Sequence, residues 1–138
     1  MGSFQEIDHT ADKGIKIEGG SLQDIFETSV VGLAHMSRED LAKDSETSSE
    51  SYIVEVESED VTGLLVDFLS EVLTLSHIHH MVFLKADIVL LEETNIRAKV
   101  YGQKVDHFDE DIKAVTYHKA DIRQKEDETY ETYIVVDI

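Results

Sequence analysis

The apolar pattern of the chain predicts an α+β fold: a single domain over residues 1–138, with two main helices packed on an antiparallel or mixed β-sheet of six to seven strands. Three observations lead there. Two stretches, 21–36 and 60–76, repeat apolar residues at helical spacing. Several shorter stretches alternate apolar and polar residues with a period of two. The strands of the second half follow one another without intervening helices, which favours hairpins over a βαβ rhythm.

The elements follow in order. Phe4–Ile7 and Gly14–Glu18 read as short strands on either side of the loop DHTADK, with Ile15 and Ile17 alternating with Lys16 and Glu18. Gly19-Gly20 is a turn. Ser21 opens a helix, and Asp24 three residues on gives a capping-box-like signal. Leu22, Ile25, Phe26, Val30, Leu33 and Ala34 form its stripe through about Met36. Arg38–Glu50 is polar and reads as a short helical turn and an exposed loop. Tyr52–Glu57 is a strand. Asp60 caps the second helix, whose stripe runs from Val61 through Leu64, Leu65, Phe68, Leu69 and Val72 to Leu75, fading near His77–His80. Val82–Glu92 and Ile96–Tyr101 form a hairpin around Glu93-Thr94-Asn95. Gln103–Asp111 is an acidic loop, Ile112–Arg123 an alternating strand, Glu126–Thr129 a charged turn, and Tyr130–Ile138 a closing strand.

Composition narrows the function. The chain has 30 Asp and Glu against 12 Lys and Arg, a net charge of −18, and no Cys, Pro or Trp. Disulfides, Cys-based metal sites and a thiol nucleophile are excluded. A surplus of acid repels phosphate backbones, so direct nucleic-acid binding is not expected. Cations and basic protein surfaces are the favoured partners. The apolar runs fall short of a bilayer span and the first residues lack signal-peptide character, so the expected setting is cytoplasmic, without a membrane.

Phosphate-loop, dinucleotide, zincin and nucleophile-elbow signatures are absent. Three clusters remain. Asp8, His9, Thr10 and Asp12 sit in one short loop, where carboxylates and an imidazole can hold a divalent cation or position a proton. A hydrogen-bonded turn is the simpler reading of such a loop. His77, His79 and His80 offer imidazole ligands, but their spacing spreads them round a helix end, where they complement the dipole. Asp106–Asp111 is acidic without calcium-loop spacing. Finally, the chain ends on an apolar strand closing with Asp137 and Ile138, so a side-chain and a main-chain carboxylate fall side by side. If Asp12 lies at the same end of the sheet, three hard oxygen donors suit Mg²⁺, Ca²⁺ or Mn²⁺. Lys113, after the acidic run, is either an ion-pair partner or a contact to a partner or a nucleotide phosphate.

DHTADKGIKIEG (8–19), SLQDIFETSVVGLAHM (21–36), IKAVTYH (112–118) and the ending VVDI (135–138) together resemble the archease family. The resemblance implies a small α+β protein that serves as cofactor of the tRNA-splicing RNA ligase, which joins exon halves with GTP and Mn²⁺. It implies promotion of the ligase's guanylylation and multiple turnover, with no reaction of the protein's own. It also implies a divalent cation held by Asp12, Asp137 and the carboxylate of Ile138, with Lys113 and His9 as residues of activation. Two features depart from the family pattern: the His-rich run at 77–80, and Lys13, which stands where an apolar residue is usual and would repel a nearby cation.

Two other classes compete. A metal-dependent hydrolase or phosphatase would use Asp8, His9 and Asp12, with His9 as base, and would turn over without a partner. A general chaperone-like binder would use its acidic surface and an apolar edge strand, and would be indifferent to Asp137.

Overall fold

Two antiparallel sheets share one core through two long helices. The computed structural model describes residues 2–8, 12–42 and 50–138. In chain order these carry β1 (Gly2–Asp8), β2 (Asp12–Gly19), α1 (Leu22–Ser37), α2 (Glu39–Ala42) and β3 (Ser51–Glu57). There follow α3 (Val61–His79), β4 (Met81–Leu91), β5 (Asn95–Lys104), β6 (Ala114–Thr116), β7 (Arg123–Gln124) and β8 (Tyr130–Asp137). The α+β class is as the sequence predicts.

The helices start where their caps dictate. The Ser21 hydroxyl accepts from the Asp24 N–H at 3.1 Å, and the Asp60 carboxylate accepts from the Gly63 N–H at 2.7 Å, each satisfying an orphan donor of a first turn. The Asp24 carboxylate in turn accepts from the Gly20 N–H at 3.0 Å. At the other end of α3, His80 adopts the left-handed conformation at φ 52° and donates its N–H to the Ser76 carbonyl. α3 is long and apolar enough by length and composition to cross a membrane, beyond what the sequence reading allowed. Its hydrophobic side has a use inside the fold: Leu64, Leu65, Phe68 and Leu69 are fully buried. Each such side chain contributes roughly 1.5–3 kcal/mol on leaving water.

The single sheet of the expectation resolves into two. One has the order β1-β2-β8-β6, with β7 also paired to β8; the other has the order β3-β5-β4. β3 and β4, both antiparallel to β5, run parallel to each other and are joined by α3. α1 packs on β1, β2 and β8 of the first sheet and on β4 of the second, so the core is continuous between them. At its heart Phe26 of α1 meets Phe68 of α3, ring centroids 5.9 Å apart.

The segment read as one strand over Ile112–Arg123 is two short ones on the same edge of β8. β6 pairs with Val135–Asp137 and β7 with Tyr130–Glu131. Between them the chain leaves the sheet for α3: the Tyr117 hydroxyl donates to Asp67, and the Ile122 N–H donates to the Thr62 hydroxyl at 3.1 Å. Ala120 and Ile122 pack against the core on the way, and Lys119 turns the chain at φ 59°. Burial of two apolar side chains and ties to a helix outweigh continued pairing.

Candidate functional site

One end of the first sheet gathers the terminus of β1, the start of β2, the start of β6 and the last residues of β8. Its geometry comes from strand register. β2 and β8 pair without a break from Gly19↔Tyr130 to Asp12↔Asp137, fixed by the buried face of Ile15, Ile17, Ile134 and Val136. A slip of one residue would turn that face to solvent, so the core itself determines which residue stands opposite Asp12. Directly opposed residues of antiparallel strands share a face, and the alternation places Asp12 and Asp137 on the side away from α1, beyond Lys16, Glu18 and Glu131.

On its other flank Asp137 is opposed by Ala114 of β6, and its carbonyl accepts the Lys113 N–H at 2.8 Å. Lys113 is thereby held at the site by its main chain, with its side chain exposed. Ile138 follows directly and is 39% exposed. The structure thus brings Asp12, Asp137, Ile138 and Lys113 to one sheet end. His9 and Thr10 lie outside the described residues; Asp8 closes β1 opposite Lys13.

Two carboxylates directly opposed across strands repel one another. Among the described residues neither forms an ion pair with a lysine, arginine or histidine. Lys13 belongs to the opposite face and reaches Glu6 at 3.7 Å, so it does not screen them. Among the described residues no three His, Cys, Asp or Glu side chains converge. Asp12 and Asp137 present two hard oxygen donors at this sheet end. The donor set fits a hard divalent cation and not a soft one.

The other clusters have structural partners. His79 stacks on Tyr52 with centroids 4.1 Å apart, while His77 meets Phe108 at 5.7 Å, so the histidines of α3 point to different neighbours. In the acidic loop, Arg38 at the end of α1 donates to the His107 carbonyl at 3.1 Å and lies 3.6 Å from Asp106 and 3.9 Å from Asp109. The Asp109 N–H donates to the Ser37 carbonyl at 2.8 Å. The His107 imidazole, bonded at 2.8 Å, holds the Asp106 carboxyl below its ordinary range. This loop is a clasp on the helix end.

Sequence reasoning passed over one feature. A cleft of about 880 Å³ opens at the start of α3, bounded by Glu57, Asp60, Asp67, Tyr117 and Asp121. The hydrogen bond to Asp67, with burial and the nearby carboxylates of Asp67 and Asp60, pushes the Tyr117 phenol above its ordinary value. Asp67 lies off the apolar stripe of α3 and belongs to no cluster that the sequence singles out. No motif signalled its tie to Tyr117, 50 residues away.

Comparison with known proteins matches residues 4–138 to the archease protein family. The archease of Pyrococcus abyssi is 34% identical over 146 residues, covering 100% of both chains, and that of Methanosarcina barkeri is 30% identical, covering 98% of this chain and 95% of its own. The solution structure of protein 1598 from Methanobacterium thermoautotrophicum superposes with a TM-score of 0.78 at 25% identity, covering 98% of each chain. The crystal structure of a Thermotoga maritima archease, described as a possible chaperone, shares the fold with a TM-score of 0.64 at 18% identity over 97% of this chain and 96% of its own. With a family model spanning nearly the whole chain and full-length relatives at this identity, the chain belongs to the archease family.

Proposed function

We propose that this protein is an accessory factor, not an enzyme, that activates the GTP- and metal-dependent tRNA-splicing RNA ligase by promoting its guanylylation and multiple turnover. The observation that carries the reading is the opposition of Asp12 and Asp137 at a sheet end where the main chain also holds Lys113. Asp12, Asp137 and the Ile138 carboxylate would hold Ca²⁺, Mg²⁺ or Mn²⁺, which supplies the charge that offsets their repulsion and can neutralise a partner's phosphate oxygens.

Lys113 and His9 contact the ligase or its nucleotide. Lys113 brings a point charge suited to phosphate. The net charge of −18 directs the protein to a basic protein surface in the cytoplasm, with RNA reached only through the ligase. The test is ligase turnover at limiting GTP with wild type, Asp12→Ala, Asp137→Ala and Lys113→Ala. Each substitution is expected to reduce stimulation; full stimulation by all three contradicts the site. Phosphoester hydrolysis by the purified protein alone would replace this reading with the metal-dependent hydrolase.

A further inference from the structure

β6 has only three residues, Ala114–Thr116, yet its first pair sets the geometry of the sheet end. Ala114 stands opposite Asp137, and the Lys113 N–H just before it donates to the Asp137 carbonyl at 2.8 Å. Burial of Ile112 and Val115, 1% and 7% exposed, decides which face of this segment meets the core. It does not decide the register. Side chains alternate with a period of two, so a slip of two residues along β8 keeps Val115 inward and takes Lys113 away from Asp137. A three-residue ladder has few main-chain bonds with which to oppose that slip.

Two side chains at the far end of β6 oppose it. The Thr116 hydroxyl donates to the carbonyl of Val135, its partner in the ladder, at 3.1 Å and accepts the His118 N–H at 3.3 Å. The next residue is tied in another direction: the Tyr117 hydroxyl donates to Asp67 on α3. That helix is a firm anchor, since Phe68 and Leu69 beside Asp67 are fully buried. We propose that Thr116 and Tyr117 are positioning residues for the cation site, fixing the register of β6 so that Lys113 stays engaged with Asp137 opposite Asp12. The inference deepens the proposed function and rests on the reading of Asp12, Asp137 and Ile138 as a cation site. Residues that orient ligands from outside the coordination shell typically govern affinity by about 10–100-fold.

The charge of Asp67 is the competing explanation for an effect on a cation. Two substitutions separate charge from tether. Asp67→Asn removes the charge and keeps an acceptor for the phenol, while Tyr117→Phe removes the bond and keeps the charge. A tether makes Tyr117→Phe the harmful change; long-range attraction makes Asp67→Asn the harmful one.

The test measures hydrogen exchange of the Lys113 amide in the metal-free full chain, and Mn²⁺ affinity by calorimetry. It compares wild type, Asp67→Asn, Tyr117→Phe and the double variant Thr116→Val, Tyr117→Phe. The Ile134 amide, within the β2–β8 ladder, is the control for the fold. The double variant is expected to exchange Lys113 faster, with Ile134 unchanged, and to bind Mn²⁺ about tenfold more weakly or worse. Tyr117→Phe should move both readouts in the same direction, and Asp67→Asn should match wild type. Unchanged Lys113 exchange in the double variant overturns the proposal, as does faster exchange at unchanged Mn²⁺ affinity. Weakening by Asp67→Asn without weakening by Tyr117→Phe overturns it in favour of charge. Where the double variant loses the fold, Tyr117→Phe alone decides by the same criteria. A wild type that takes up no Mn²⁺ defeats the cation reading instead, and Lys113 exchange still decides whether Thr116 and Tyr117 hold the register.

Discussion

Asp12 and Asp137 stand directly opposite one another at the last register position of the β2–β8 ladder, two carboxylates on one face without an ion-pair partner among the described residues. The ladder could end one pair earlier and avoid the repulsion. Instead Asp137 is pinned from both sides, by β2 and by the Lys113 N–H. The proposed cation would offset this local repulsion.

Removing one charge should therefore stabilise the metal-free protein. Asp12→Asn is expected to raise unfolding free energy by about 0.2–1 kcal/mol in the presence of a chelator. Adding Ca²⁺ or Mn²⁺ should stabilise wild type by about 2.7 kcal/mol at a hundredfold excess over its dissociation constant. The variant should show little of that increment. Denaturant unfolding with and without metal reads both effects.

Gly102 should not tolerate a side chain. A Cβ there would lie 2.0 Å from the Val82 carbonyl oxygen and 2.8 Å from the Phe83 Cα, both backbone atoms beside the β4 bulge. At Gly32 the obstacle is the Cδ1 tip of Ile15, at 2.2 Å, which can rotate away. Gly102→Ala should cost at least about 1–3 kcal/mol, and more than Gly32→Ala, in the same unfolding experiment.

The core contact between α1 and α3 gives the largest expected loss. Phe68 is fully buried against Phe26. Phe68→Ala should cost about 3–5 kcal/mol, removing both the transferred area and the aromatic pair, as measured by denaturant midpoint at unchanged slope.

Lys125 ties β7's turn to β2 through Glu18 at 2.8 Å. The hydrogen bond and charge of Lys125 lower the Glu18 carboxyl, and the reciprocal bond raises the Lys125 amine. A depressed carboxyl stabilises the fold above its unfolded value and loses that contribution as pH falls through the folded one. A raised amine contributes below its unfolded value and loses this as pH rises through the folded one. Wild type should therefore exceed Glu18→Gln in thermal midpoint near neutrality, and the gap should close at both acid and strongly alkaline pH.

Local signals made much of the fold legible. Ser21 and Asp60 announced both helix starts, because capping chemistry is confined to a few neighbouring residues. Glu93-Thr94-Asn95 announced the β4–β5 hairpin for the same reason. What escaped was non-local. Alternation marks Ile15, Ile17, Val54 and Val56 as strand residues but does not say which strands pair, so the division into two sheets stayed hidden. The break between β6 and β7 follows from contacts with Thr62 and Asp67 on a helix far along the chain. The sheet-end gathering of Asp12 and Asp137 was similar. The motifs named the residues, and the register that opposes them depends on the packing of Ile15 and Ile134.

The central claim concerns the cation. Calorimetric titration of Mn²⁺ into the wild type and into Asp137→Asn, at equal ionic strength, tests it most directly. The account predicts saturable binding of one ion by wild type and its loss in the variant, with the thermal transition of the variant intact. Equal affinity in both proteins would contradict it.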